Sequence, residues 1–319
     1  MCTVVCLNGA QFFFGRNMDI EGSFGEEIVL TPRRFPLHFR RMPKMDVHYA
    51  MLGVAAVLDG YPLYADAMNE HGLCIAGLNF VGNAHYFSPE SCGMRSLAPY
   101  ELIPWILATC KNCMEARSAL DGMQLAEISF RADVPLSDLH WILADGKTCL
   151  VVESTETGLH LYENPLQVLA NNPPLPSQIE NWRQYARLTP EDTNAEPFFS
   201  LGLGAVGLPG DYSSVSRFVR ASYLRESVLR YGQADLSAVY QILDAVAPPK
   251  GSVLDCNGHP HYTTYSCCMD AARRAYTYTT HENRRITAVA MEDSALSRGD
   301  LYRIPLRKEQ SILWESSSL

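Results

Sequence analysis

Strand-like runs occupy both ends of this chain and helical periodicity fills the stretches between them, a distribution that constrains the fold more than any other feature. Residues 49–80 alternate short apolar stretches with turns: Tyr49 to Leu58, Asp59-Gly60, Asn69 to Gly72, then Leu73 to Phe80. A meander follows between Leu139 and Asn171, with runs at 139–144, 149–153, 160–162 and 167–170 separated by Asp145-Gly146 and Thr157-Gly158. The tail returns to strands at 262–268, 275–280, 286–290 and 301–306. Between these, Leu102, Ile103, Ile106 and Leu107 have helical spacing over 99–110, with Pro104 expected to kink the helix. Asn112 and Glu115 form a capping-box pair that opens a second helix ending near Asp121-Gly122. Segments 216–230 and 235–246 are amphipathic, the latter with apolar residues at 236, 239, 240, 243 and 246. Sheets must therefore be shared between the two ends of the chain. With no shift in composition to mark a boundary, residues 1–319 are expected to form a single α+β domain.

The amino terminus carries the most local signal. Apolar runs 2–7 and 10–14 flank Asn8-Gly9, which predicts a hairpin with a two-residue turn. In that register Cys6 faces Gln11, Val4 faces Phe13 and Cys2 faces Gly15, so Arg16 and Asp19 lie near residue 2.

Composition excludes several classes. The chain carries 26 Lys+Arg against 35 Asp+Glu, a formal net charge of −9, which argues against binding a phosphate backbone. No apolar run approaches the roughly 20 residues that a membrane helix needs. The first residues lack the basic and apolar regions of a secretory signal, so a cytoplasmic location is expected. In that reducing compartment the ten cysteines read as free thiols, most of them packing as small hydrophobes.

Cys2 differs from the other nine because it can become the chain terminus. Met1 is normally removed when the next residue is small, and an α-amino group has a reference pKa of about 7.7 to 8.0, so a useful fraction is free base near neutral pH. An amine on the same residue as the thiol can serve as its base without a separate histidine. Arg16 nearby favours the thiolate, and Asp19 can orient the ammonium.

Several blocks extend this reading: Met1-Cys2-Thr3, Gly15-Arg16-Asn17-Met18-Asp19, Asp66 through Leu73, Gly77-Leu78-Asn79-Phe80, Leu139-His140-Trp141, Ala170-Asn171-Asn172-Pro173, Gly207 through Asp211, and Ser216-Arg217-Phe218. Together, and in collinear order over essentially the whole chain, they resemble the choloylglycine hydrolase family of bile salt hydrolases and penicillin V acylases, which are N-terminal-nucleophile hydrolases. The resemblance implies a four-layer αββα sandwich, two antiparallel sheets between helical layers. It places the nucleophile on Cys2, the thiol-contacting arginine on Arg16 and the amine-orienting aspartate on Asp19. It also places an oxyanion hole on the Asn171 side-chain amide and the Asn79 backbone N–H, and a second active-site arginine on Arg217. Amide hydrolysis builds negative charge on the carbonyl oxygen, which is why such donors are needed.

By the same resemblance Met18, Ile20, Leu58 and Ala65 line the acyl pocket. Asn at position 79 resembles bile salt hydrolases, whereas penicillin V acylases tend to carry Tyr there. Ala170-Asn171-Asn172-Pro173 departs from the usual Thr-Asn-Ser-Pro, and Leu58 stands where some relatives carry an aromatic residue. The expected activity is hydrolysis of glycine- or taurine-conjugated bile salts, with penicillin V or another N-acyl amide as the alternative. Small amphipathic amides are the expected partners, no cofactor or metal is implied, and the resemblance implies a bacterial homotetramer whose loop-rich segment 171–215 serves assembly.

Competing motifs are weaker. Gly202-x-Gly204-x-x-Gly207 matches a dinucleotide fingerprint but leads into Leu208-Pro209-Gly210 rather than a helix. Cys256, His259 and His261, with Cys267-Cys268 following, have chelating spacing and form the metal-binding alternative. Cys110-x-x-Cys113 lacks a second pair, and no Gly-x-Ser-x-Gly elbow is present. His140, between Leu139 and Trp141, reads as a buried structural histidine.

Overall fold

A computed structural model describes residues 1–192 and 202–315. One six-stranded antiparallel sheet runs β12 (Val168–Leu169), β1 (Cys2–Asn8), β2 (Phe12–Ile20), β13 (Tyr262–Asp270), β14 (Ala275–Thr280), β15 (Thr287–Ala290). An eight-stranded antiparallel sheet runs β11 (Gly158–Glu163), β10 (Cys149–Thr155), β9 (Leu139–Ala144), β6 (Cys74–Asn79), β5 (Tyr61–Asn69), β4 (Met51–Leu58), β3 (Glu26–Thr31), β16 (Tyr302–Pro305). A short parallel pair, β7 (Ser96–Leu97) and β8 (Gln124–Leu125), lies outside both. Strands from both ends of the chain share each sheet, as the alternation of elements requires.

Alternation along the strands builds the layers. Ile28, Leu30, Ile142 and Ala144 of the larger sheet join the smaller sheet's Val4, Cys6 and Met18 in one core. Val29, Trp141 and Leu143 point the other way, into a second core with α1 (Leu102–Thr109) and α2 (Cys113–Leu120). On the far side of the smaller sheet, α4 (Ser214–Tyr231) packs on β1, and α5 (Leu236–Ala245) on β2 and β13. The order helices, sheet, sheet, helices is the four-layer αββα sandwich. Because both faces of the larger sheet are covered, its strands are apolar almost continuously.

Local signals set several boundaries. Asn112 Oδ1 accepts from the Glu115 N–H at 2.9 Å, and the Glu115 carboxylate accepts from the Lys111 N–H at 2.7 Å, starting α2 as expected. Asp235 caps α5 in the same way through the Ala238 N–H at 2.9 Å. Pro104 falls in the first turn of α1, where no N–H is needed, so the expected kink is replaced by a short 3₁₀ turn at Pro99–Glu101.

Segment 171–215 is not loop throughout: α3 (Leu175–Trp182) occupies part of it, while 193–201 lies outside the described residues. Strand β3 and helix α3 carry no isolated sequence signal. A four-residue helix, α6 (Asp293–Leu296), precedes β16.

The first hairpin differs in register. Cys2 pairs with Met18, Val4 with Arg16 and Asn8 with Phe12, so the loop is Gly9 to Gln11 and the ladder is displaced by three residues from expectation. Gly9 is retained for a close approach: a Cβ there would stand 2.5 Å from the Ala234 carbonyl oxygen.

Candidate active site

Strand β1 begins at Cys2 between β12 and β2, so the head of the chain is fixed in the middle of a sheet. Cys2, Val4 and Arg16 share the face toward the larger sheet, since Val4 and Arg16 are cross-strand partners and Cys2 is two residues from Val4. Arg16 Nη2 donates to the Cys2 sulfur at 3.5 Å and to the Gly77 carbonyl at 2.7 Å. Its Nη1 donates to the Ala65 carbonyl at 2.8 Å and to Asp66 Oδ2 at 2.7 Å. Asp66 is itself gripped by the Tyr265 hydroxyl at 2.7 Å and the Tyr276 hydroxyl at 2.5 Å, all in the interior. Burial works against charge on Arg16. Tyr265, Cys2 and Asp66 outweigh that and hold its pKa well above the usual guanidinium value.

A second arginine enters from α4. Arg217 Nη1 donates to the Cys2 carbonyl at 2.5 Å and to the Thr3 hydroxyl, its Nε to the Tyr212 carbonyl at 2.9 Å, and its Nη2 to Asn171 Oδ1 at 2.8 Å. Burial lowers its pKa, and Asp19 and then Cys2 oppose that shift. The Cys2 backbone N–H also donates to Asn171 Oδ1, at 2.8 Å. With two donors converging on that oxygen, the amide must turn its nitrogen outward, and Nδ2 donates to the Asn79 carbonyl at 2.8 Å. One amide proton is used there and the second remains to donate.

Asp19 lies buried beside Met1, its N–H donating to the Met1 carbonyl at 2.9 Å and its carbonyl accepting from the Met1 amine at 2.5 Å. Oδ1 accepts from the Thr263 hydroxyl at 2.6 Å, while Oδ2 has no hydrogen-bond partner and stands 3.9 Å from Arg217 Nη1. Burial pushes this carboxyl above the ordinary aspartate range, and Arg217, the amino terminus, Thr263 and Arg16 pull it partway back.

Cys2 opens onto a cavity of about 730 Å³ with a mainly apolar wall, a size usual for small-molecule sites. Met1, Met18, Ile20, Phe24, Leu63, Ala65, Asn79, Val81, Tyr100 and Phe130 line it, together with 134–139. Of the expected pocket residues Met18, Ile20 and Ala65 are present. Leu58 is not: it ends β4 opposite Tyr61, and Leu63 and Ala65 of the next strand supply that wall.

Thus Cys2, Arg16, Asn171 and Arg217 form one hydrogen-bonded cluster, with Asn79 at its edge and Asp19 joined to it by the ion pair with Arg217. Sequence reasoning gave no role to Asp66, Tyr265, Tyr276 or segment 130–139.

The competing motifs find no site. His259 contacts Asp255, His261 contacts Glu21 and Cys256 is exposed. Among the described residues no group of three His, Cys, Asp or Glu side chains could hold a metal. Gly207 precedes an irregular segment ahead of Ser214, without the strand-loop-helix context of a dinucleotide site.

Residues 2–304 match the profile of the family described as linear amide C–N hydrolases, choloylglycine hydrolase family. The chain is 40% identical over 318 residues to a bile salt hydrolase/transferase of Lactiplantibacillus plantarum, covering 97% of this chain and 98% of the relative. It superposes with a TM-score of 0.92 on a C2A mutant of the conjugated bile acid hydrolase from Clostridium perfringens, at 32% identity over 99% of this chain and 100% of the other. It shares the fold of a penicillin V acylase from Agrobacterium tumefaciens, with a TM-score of 0.76 at 18% identity over 95% and 90% of the two chains.

Proposed function

Because the chain belongs to the choloylglycine hydrolase family, we infer that it hydrolyses the amide joining a cholic-type acyl group to glycine or taurine, with Cys2 as nucleophile. The observation that carries this reading is the amino end itself. Cys2 opens on an apolar cavity, its nitrogen is already bonded to Asn171, and Asp19, whose backbone holds Met1, keeps a buried Oδ2 without a donor. Removal of Met1 turns that nitrogen into an amine with protons for both.

The free amine takes the Cys2 thiol proton, and Arg16 stabilises the thiolate as it attacks the substrate carbonyl. The second Asn171 amide proton and the Asn79 N–H receive the developing oxyanion. Arg217 holds Asn171 and the Cys2 backbone in place. The amine then protonates the departing nitrogen of glycine or taurine, and water, activated by the same amine, hydrolyses the thioester. An amine in place of water would instead take up the acyl group, the transferase half of the Lactiplantibacillus plantarum relative's name. The apolar lining suits a steroid, and Asn79 favours conjugated bile salts over penicillin V. We further place the mature protein in a bacterial cytoplasm as a homotetramer acting without cofactor.

Cys2→Ala is expected to fold normally and to release no glycine from glycocholate, and N-terminal sequencing of active enzyme is expected to begin at Cys2. Residual turnover by the variant, or activity with Met1 in place, defeats the assignment. Overnight treatment with a chelator is expected to leave both turnover and thermal midpoint unchanged; loss of either would revive a metal-binding role.

A further inference from the structure

The two donors assigned to the oxyanion belong to different sheets. Asn171 follows β12 of the smaller sheet, and Asn79 ends β6 of the larger one. Their separation is therefore set by whatever braces sheet against sheet at that end. Two buried ionisable side chains outside the cavity wall sit at this junction.

His140 on β9 and Glu153 on β10 are cross-strand partners, both fully buried. His140 is also the cross-strand partner of Leu78, the residue before Asn79, and its ring stacks on Phe80 at 4.3 Å between centroids. From this position the pair reaches across to segment 170–175. His140 Nε2 lies 2.9 Å from the Ala170 carbonyl, and Glu153 Oε1 accepts from the Leu175 N–H at 2.9 Å. These contacts bracket Asn171 from before and after.

The protons are fixed by the partners. A carbonyl can only accept, so His140 Nε2 carries hydrogen. Nδ1 then faces Glu153 Oε1 at 3.3 Å, an arrangement that is attractive only with one proton between them. Glu153 Oε2 has no partner, so the pair is committed to this single link. Neither residue lines the cavity, and neither can touch substrate.

We propose that His140 and Glu153 are positioning residues for the hydrolysis, holding the Asn171 amide at its working distance from Asn79. The proposal rests on Asn171 serving as an oxyanion donor. Displacing such a group by about 1 Å can cost on the order of 100-fold in rate, while a contact made only in the transition state leaves ground-state binding unaltered.

The experiment compares wild type with His140→Leu, His140→Asn, His140→Gln and Glu153→Gln, all in full-length processed enzyme. Measurements are kcat and KM on glycocholate per Cys2 alkylated by iodoacetamide, counted on the N-terminal peptide because Cys256 is also exposed, the inhibition constants of cholate and of the corresponding steroid aldehyde, and thermal midpoints. The aldehyde adds the Cys2 thiol across its carbonyl and places an oxygen where the oxyanion forms.

His140→Leu is expected to lower kcat about 10- to 100-fold, with KM and cholate inhibition within about twofold and aldehyde affinity falling in parallel with kcat. His140→Gln reaches Ala170 and recovers most of kcat, whereas His140→Asn, one methylene shorter, does not. Glu153→Gln keeps the Oε1 acceptor for Leu175 and stays within a few-fold of wild type. Should the Leu variant fail to fold, the Asn and Gln pair carries the comparison. Equal kcat per titrated thiol in the folded Asn and Gln variants, or losses in thermal midpoint alone, overturns the positioning role and leaves the hydrolase intact. A wild-type enzyme that cleaves no acyl amide overturns both.

Discussion

Asp19 is proposed to face the mature amine, and its environment ties activity to pH with a sign that can be worked out. Burial raises this carboxyl's pKa, so the folded state holds its proton more tightly than the unfolded chain does. Its charged form costs stability above the raised value, and that cost is relieved as pH falls through it. Activity runs the opposite way, because only the carboxylate can hold the ammonium. Protonation of the free amine sets one acid limb of kcat against pH, and a second, lower limb belonging to Asp19 is expected above the ordinary aspartate value of about 3.9, with the Asp19 share of stability improving as pH falls over that window. Asp19→Asn should lose that limb along with most of the rate; an unchanged limb in this variant assigns it to another group. Asp19 was readable in sequence because it is three residues beyond Arg16 on one strand. Asp66 was not, because its importance comes from Arg16, Tyr265 and Tyr276 arriving from distant segments.

Strand register decides which faces these residues share. In the register read from Asn8-Gly9, Cys2 sits opposite Gly15, which would put Arg16 on the helix-facing side of its strand. The observed pairing of Val4 with Arg16 places guanidinium and thiol on one face. Their closeness was thus legible while the geometry that makes it useful was not, since Gly9 answers to a tertiary contact with Ala234 rather than to turn conformation. Helices α2 and α5 were legible because their caps are local, whereas β3 and α3 depend on packing partners. A similar close approach occurs at Gly53 on β4, where a Cβ would stand 2.0 Å from the Asp66 carbonyl oxygen. Backbone cannot yield as a side chain tip can. Gly53→Ala is expected to destabilise by about 1 to 3 kcal/mol in chemical denaturation, and to reduce kcat by shifting Asp66 under Arg16. Wild-type stability would mean that β4 and β5 separate freely.

Across the whole molecule, charge and function oppose one another. The chain carries −9, the proposed substrate is an anion, and the two site arginines are buried against Asp66 and Asp19 rather than offered to solvent. Long-range steering is then absent or repulsive, and affinity must come from apolar burial in the cavity. Raising ionic strength from about 10 to 150 mM below micellar substrate concentrations should leave kcat/KM for taurocholate unchanged or raise it by up to about threefold. A fall would reveal a cationic funnel. The shared sheets have a further consequence, for the order of events during synthesis. The first hairpin to leave the ribosome lies between a strand made halfway along the chain and strands made near its end. Thr263, Tyr265 and Tyr276, which grip Asp19 and Asp66, are translated only after four-fifths of the polypeptide exists. A nascent chain can thus lose its initiator methionine early and still carry an unassembled nucleophile, so that catalytic competence is conferred by nearly the last segment to emerge.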